Sequence, residues 1–353
     1  MEDNVMKKIL IGLVLLMMLF VLVSCGKKGN EQESEHEHTH EHTHEHNDAE
    51  VTLRLALSAH EGEPHYVAAE QFAEKVEAKT NGSVKVQIYD SNKLGTEEEV
   101  LEAIAKDEKK ADIVIADVKK LTKYEPKIDI SKMPFIFADY EEAREFMDGE
   151  VQTEAERKLT EQNIQVLAHY ANGFNCLVVN GKMISDVKDM QGITVATTGQ
   201  GMSSLAMKSL GAMTRVVENR EVMQMLQQGR CDGYEERLEV IFNNRIYQNQ
   251  DYLLVTNHGY SASCFVIANS VWNNLDVKYR ELIEEAALSS SYTSYELAKQ
   301  RDSKILEQIE SAGVRVQYPN LKEYWEKAQA VVRGYEKEYS GMVDKLIMWK
   351  NNR

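Results

Sequence analysis

Val51-Thr52-Leu53-Arg54-Leu55-Ala56-Leu57, then Tyr66–Lys79, then Val84-Lys85-Val86-Gln87-Ile88-Tyr89 is the stretch that decides the fold. The first segment alternates apolar and polar residues, which is the period of a half-buried strand. The second carries Val67, Ala68, Phe72, Ala73 and Val76 on one helical face, and Asn81-Gly82 closes it as a C-cap. The third returns to strand periodicity. A strand, a helix and a second strand in direct succession form a βαβ unit, with parallel strands and a covering helix.

The same alternation continues down the chain. A helix is expected over Thr96–Ala105 with Thr96 as N-cap, and a fully apolar strand over Ile113–Ala116. Further strands are expected at Val166–Ala168, Cys176–Val179 and Ile193–Ala196. Helices follow at Met202–Leu210, ended by Gly211, and Arg220–Gln228, ended by Gly229. The later chain reads as helical over Val277–Leu306 and Leu321–Val332. This order predicts largely parallel sheets in two α/β lobes joined by crossing segments. Ligands of such sheets bind beyond the carboxyl ends of the strands and in clefts between domains.

The 353 residues suffice for two lobes, and 43% hydrophobic with 28% charged residues is a globular balance. The net charge is −16. An acidic body repels phosphate backbones, so nucleic acid is not an expected partner.

The N-terminus reads as an export address. Lys7 and Lys8 precede the apolar run Ile9–Val23, which ends in Leu22-Val23-Ser24-Cys25. A basic start, a run of about 15 apolar residues and small residues before the cut describe a secretory signal, too short to span a membrane comfortably. Leu-Val-Ser-Cys resembles a bacterial lipobox, in which Cys25 is lipidated. The expectation is a signal peptide over 1–25, with translation beginning at Met1 or Met6, and a lipoprotein held on the outer side of a bacterial membrane. An uncleaved single-pass anchor is the other reading. Residues 26–50 are polar and low in complexity and read as a disordered tether. Within it His36, His38, His40, His42, His44 and His46 alternate with Glu and Thr. Imidazole with carboxylate suits Zn, Ni or Cu, though the spacing is not that of a rigid site. Cys176, Cys231 and Cys264 are odd in number and widely spaced, so they read as small buried residues rather than a disulfide framework.

Specific stretches then carry a resemblance. They are Ala69-Glu70-Gln71-Phe72-Ala73 with Thr80-Asn81-Gly82, Lys93-Leu94-Gly95, Met133-Pro134-Phe135-Ile136-Phe137, Asn172-Gly173-Phe174, and Asp189-Met190-Gln191-Gly192. Leu210-Gly211-Ala212, Leu226-Gln227-Gln228-Gly229 with Asp232-Gly233-Tyr234-Glu235, and Thr256-Asn257-His258 complete the set. In this order, over about 50–345, the chain resembles the substrate-binding proteins of TRAP transporters, the DctP-like family. The resemblance implies an α/β chain with the type II periplasmic-binding-protein fold. Two lobes would close over one small ligand, and a long helix would span the hinge. It also implies an organic-acid ligand such as a C4-dicarboxylate, sialic acid or uronate, delivery to integral membrane subunits, no cofactor and no catalysis. The expected lobes are 51–172 plus 261–300 and 173–260 plus 301–353, in a monomer.

The family's ligand positions carry over with changes. Two positions where members place carboxylate-clamping arginines hold Asn175 and Ala196 here. An asparagine after Asp-Gly-x-Glu becomes Glu236, and an aromatic position becomes Asn219. Ser58, His60, Asp117 and Lys120 fall on first-lobe positions that line the family's cleft, and Tyr234 is a further candidate lining residue. A buried anion without a cation is costly. A conventional acid gripped by another base (Lys120, Arg215, Arg237 or Arg245), a neutral sugar-like solute and an amine-bearing solute therefore all stay open. The loop Thr198–Ser204 could supply anion-binding amides. A metal-capture receptor using the histidine tract is the alternative class. His60, His65, His169 and His258 are the body histidines, with His258 expected to be structural. The body has no Gly-x-Ser-x-Gly elbow and no His-Glu-x-x-His, so an enzyme is not expected.

Overall fold

The computed structural model describes residues 49–353; Cys25 and the six tract histidines lie outside them. Within the described chain β1 (Val51–Ala56), β2 (Val84–Tyr89) and β3 (Ile113–Asp117) form the parallel core of the first lobe, with β1 paired to both neighbours. The helix Pro64–Lys79 connects β1 to β2, and the helix Glu97–Ala105 connects β2 to β3. Thr96 caps the latter in a capping box with Glu99, which satisfies two otherwise orphaned amides.

The next strand, β4 (Ile164–Val179), is 16 residues long and links the lobes. Its first part pairs with β9 (Tyr260–Ala268) as far as Phe174, and from Asn175 it pairs with β7 (Gly233–Arg237). The second lobe is built on β4, β7, β5 (Thr194–Thr197) and β6 (Met213–Val216). β8 (Tyr252–Leu254) runs beside β4 and pairs with β10 (Arg315–Gln317). The expected segments Val166–Ala168 and Cys176–Val179 are thus parts of one strand.

The expectation of largely parallel sheets needs correction. The outer pairs β1/β2, β1/β3, β5/β6, β5/β7 and β8/β10 are parallel. Every pairing of β4 or β9 with β3, β7, β8 or each other is antiparallel. These two strands carry the chain between lobes, so they cross each sheet against its βαβ direction.

The helix Val277–Ser311 spans both lobes. Its N-terminal half puts Tyr279, Ile283, Ala286 and Ala287 into the first-lobe core with Phe72 and Phe265. Its C-terminal half puts Ile305 and Ile309 into the second-lobe core with Leu253 and Ile241. The chain's end departs from the expected boundary that gave 301–353 to the second lobe. Trp349, on the last helix Met342–Asn351, packs its ring 5.0 Å from that of Phe146, in the first lobe. Lys350 pairs with Glu142 at 2.7 Å and Arg353 with Glu145 at 2.6 Å. Aromatic burial and these charge pairs return the chain to the first lobe. Among the described residues no helix is long and apolar enough to cross a membrane.

Candidate functional site

The carboxyl ends of β1, β3, β5 and β7 converge on two cavities, as the topology dictates. The larger, ≈670 Å³, is lined by Lys119, Asp129 and Lys132 from the first lobe and by Asn175, the loop Thr198–Leu205 and Glu235–Arg237 from the second. The smaller, ≈470 Å³, is lined by Ser58, His60, His65, Glu97, Asp117 and Arg301 among others. Arg237 lines both, so the cavities meet at this residue.

The second-lobe wall rests on a buried polar chain. Glu235 Oε2 accepts from Asn175 Nδ2 at 3.0 Å and lies 3.1 Å from His258 Nε2. Thr256 Oγ1 holds His258 Nδ1 at 2.7 Å. Asn175 also donates to Ser203 Oγ at 3.1 Å. His258 is therefore structural, and the amide of Asn175 is committed to supporting its neighbours. Gly233 starts this wall because a Cβ there would stand 2.4 Å from the Val178 carbonyl oxygen. Only glycine lets β7 approach β4 so closely.

The first-lobe wall is built at the end of β3. Asp117 caps the following short helix through Lys119 N at 2.7 Å and accepts from Asn172 Nδ2 at 3.3 Å. Lys132 Nζ lies 3.8 Å from Asp117. Burial holds the Lys132 ammonium below the usual lysine range, and Asp117 and Asp129 oppose that shift. Burial also pushes His65 down to about 4, with Arg301 and Arg237 acting in the same direction, while its contact with the Ala171 carbonyl opposes the shift. His65 is thus neutral near pH 7.

The expected site residues divide. Ser58, His60 and Asp117 line the smaller cavity, and Asn175 and Glu236 the larger. Ala196 does not reach the cleft: it is fully buried in an apolar cluster with Cys176, Val217 and Val222. Tyr234 sits in the same cluster and touches the site only through a long 3.5 Å bond to Glu236. Lys120 turns away to pair with Glu98 on the surface. Asn219 starts the exposed helix Asn219–Gln227 and lines neither cavity. Of the four alternative bases only Arg237 lines the cleft. Lys119, Lys132, His65 and Arg301 were not singled out from sequence as cleft residues, whereas the loop Thr198–Ser204 was, and it lines the larger cavity. Those four come from separate elements, and no local pattern joins them.

The cleft's charge is unusual for an anion site. Its lining has four basic side chains, Lys119, Lys132, Arg237 and Arg301. Against them stand eight acids: Glu63, Glu97, Asp117, Asp129, Glu235, Glu236, Glu239 and Glu338. Arg301 is already paired with Glu239 and Asp302 at 3.0 Å. Among the described residues the Arg237 guanidinium makes no ion pair, and neither does the Glu236 carboxylate.

The body histidines do not gather into a metal centre. Glu156, His169 and Cys264 are the one group of candidate ligands that lies close together among the described residues. His169 Nε2 is 2.6 Å from Glu156 Oε1, a hydrogen bond rather than the separation of two ligands around one ion. Cys176, Cys231 and Cys264 are free and buried.

Two α/β lobes joined by crossing strands and a shared helix, with a polar cleft between them, define a solute-binding receptor. The chain matches the family model "Bacterial extracellular solute-binding protein, family 7", DctP, over residues 55–338. It belongs to that family. It is 28% identical over 254 residues to the C4-dicarboxylate-binding periplasmic protein DctP of Rhodobacter capsulatus, covering 71% of this chain and 74% of that one. Among solved structures it is similar to a TRAP periplasmic solute-binding protein from Rhodobacter sphaeroides in an apo, open form. The TM-score there is 0.78 at 19% identity, covering 86% of this chain and 99% of that one. A counterpart from a Sulfitobacter species with bound β-D-galacturonate gives 0.65 at 22% identity, covering 85% and 99%.

Proposed function

We propose that this chain is the receptor of a TRAP-type transporter, that it binds a small organic acid between its lobes, and that Arg237 grips the ligand's carboxylate. One observation carries the reading. Arg237 lines both cavities and its guanidinium has no carboxylate partner among the described residues, and such a group is the natural fork for a carboxylate. Relatives named for C4-dicarboxylate and sialic acid support an acid of this size. A ligand that touches both walls favours the closed form by its differential affinity. Ser58, His60, Asp117 and Glu236 complete the ligand-facing set, with Asn175 supporting Ser203 and Glu235 in the cavity wall.

The proposal extends to the address. Cys25 carries the lipid, 26–50 is the tether, and a single receptor hands its solute to the membrane subunits without catalysis. Calorimetric titration with malate, succinate, glucuronate and galacturonate tests the site. Binding of at least one, weakened ten-fold or more in Arg237→Gln, supports it. Equal affinity in the variant rejects Arg237 as the clamp. Radiolabelled palmitate incorporated by the wild type but not by Cys25→Ala tests the anchor.

A further inference from the structure

Glu236 poses a problem that a simple organic acid does not solve. It follows Glu235 at the end of β7, lines the larger cavity and has no ion pair among the described residues. Its side-chain contacts are weak: Thr198 Oγ1 at 3.4 Å and Tyr234 hydroxyl at 3.5 Å, besides the adjacent Arg237 amide at 2.9 Å. Arg237 is its sequence neighbour, yet the two side chains are not within ion-pair distance. One cavity is therefore lined by a cation and an anion at consecutive positions, neither of them ion-paired among the described residues.

Closure of the lobes would strip water from both. A desolvated carboxylate without a counter-charge costs several kcal/mol in practice. A dicarboxylate would satisfy Arg237 and worsen Glu236. A ligand with one carboxylate and one ammonium would satisfy both. The excess of acids over bases in the lining points the same way. We infer that the solute is zwitterionic: an amine-bearing carboxylic acid whose carboxylate meets Arg237 and whose ammonium meets Glu236. This inference rests on the receptor reading above and narrows its ligand class.

One competing arrangement is built into the site. Lys119, on the first-lobe wall, has no ion pair among the described residues and lines the same cavity. On closure it could neutralise Glu236 with no help from the ligand. The two arrangements differ in what Glu236→Gln does. If the ligand supplies the cation, the variant penalises amines selectively. If Lys119 supplies it, all ligands weaken alike.

The experiment uses matched probes that differ only in ammonium against hydroxyl. The pairs are L-aspartate and L-malate, L-glutamate and 2-hydroxyglutarate, and 2-amino-2-deoxygluconate and gluconate, titrated calorimetrically into wild type and Glu236→Gln. The expected result is at least ten-fold tighter binding of the amino member in one pair, with that ratio falling at least ten-fold in Glu236→Gln. Preference for the hydroxy member, or an equal loss for both members in the variant, overturns the zwitterion assignment and leaves the receptor reading intact. So does uronate or succinate binding when none of the three amino probes binds. Failure of every organic acid, amino or not, overturns the receptor reading as well.

Discussion

Arg301, on the long helix, donates from Nη2 to the backbone oxygen of Asn172 at 2.9 Å, three residues before Asn175, where β4 passes to the second lobe. Its Nη1 meets Glu239 of the second lobe at 3.0 Å. Its neighbour Asp302 accepts from the Tyr140 hydroxyl of the first lobe at 2.5 Å. One turn of helix thus fastens the crossing point to both lobes. Arg301→Met leaves a backbone carbonyl and two carboxylates short of a partner. Because the side chain keeps some exposure, a loss of about 1–3 kcal/mol in urea denaturation is expected. An unchanged midpoint would mean that solvent replaces the guanidinium.

Gly173 shares that junction. Its φ is +131°, and a Cβ there would lie 2.9 Å from Arg301 Nη2. Gly173→Ala is strained on both counts and should cost at least about 1 kcal/mol. Pairing it with Arg301→Met in a double-mutant cycle separates backbone strain from the clash. A fully additive cycle would show that the contact contributes nothing.

The Glu235–His258 pair predicts a large effect with no ligand present. Both are almost wholly buried, and His258→Ala leaves Glu235 with only Asn175. A loss of about 3 kcal/mol or more is expected by chemical denaturation. A small loss would contradict the reading of this chain as the support of the cleft wall.

Two histidines predict opposite pH slopes. Burial depresses His65 to about 4, below its unfolded value near 6.5. Its contribution is complete above about 6.5 and is lost as the pH falls toward 4. Burial also works against charge on His169, but the Glu156 carboxylate and its hydrogen bond outweigh it, so that histidine is raised. Its contribution is complete below about 6.5 and is lost as the pH rises through the raised value. His65→Gln should flatten the acid limb of a stability–pH profile, and His169→Gln the alkaline limb. Each slope persisting in its variant would reject the assignment.

Much of the fold was legible because βαβ units write their period locally. Val51–Tyr89 gave two strands and a helix nearly to the residue, and Thr96 was found as a cap from its chemistry. β4 was expected only as Val166–Ala168 and Cys176–Val179, whereas tertiary pairing with β9 and β7 carries the strand through the residues between them. β7 was not among the expected strands because Glu235, Glu236 and Arg237 carry no apolar alternation; pairing with β4 and β5 makes it a strand. The site was only half legible. Family position placed Ala196 at the ligand, but its side chain faces the core. Arg237 stood as one of four candidate bases, and only the geometry of the two cavities separates it from Arg215 and Arg245.

A thermal-shift screen tests the central claim most directly. The protein and Arg237→Gln are melted with dicarboxylates, uronates, aldonates and amino acids, and separately with Zn and Ni. A ligand that binds only the folded state raises Tm by mass action, by about 2.7 kcal/mol of stabilisation at a hundred-fold excess over its Kd. The expected result is that at least one organic acid raises Tm in the wild type and loses most of that shift in Arg237→Gln. A shift with Zn or Ni and with no organic acid would contradict the account.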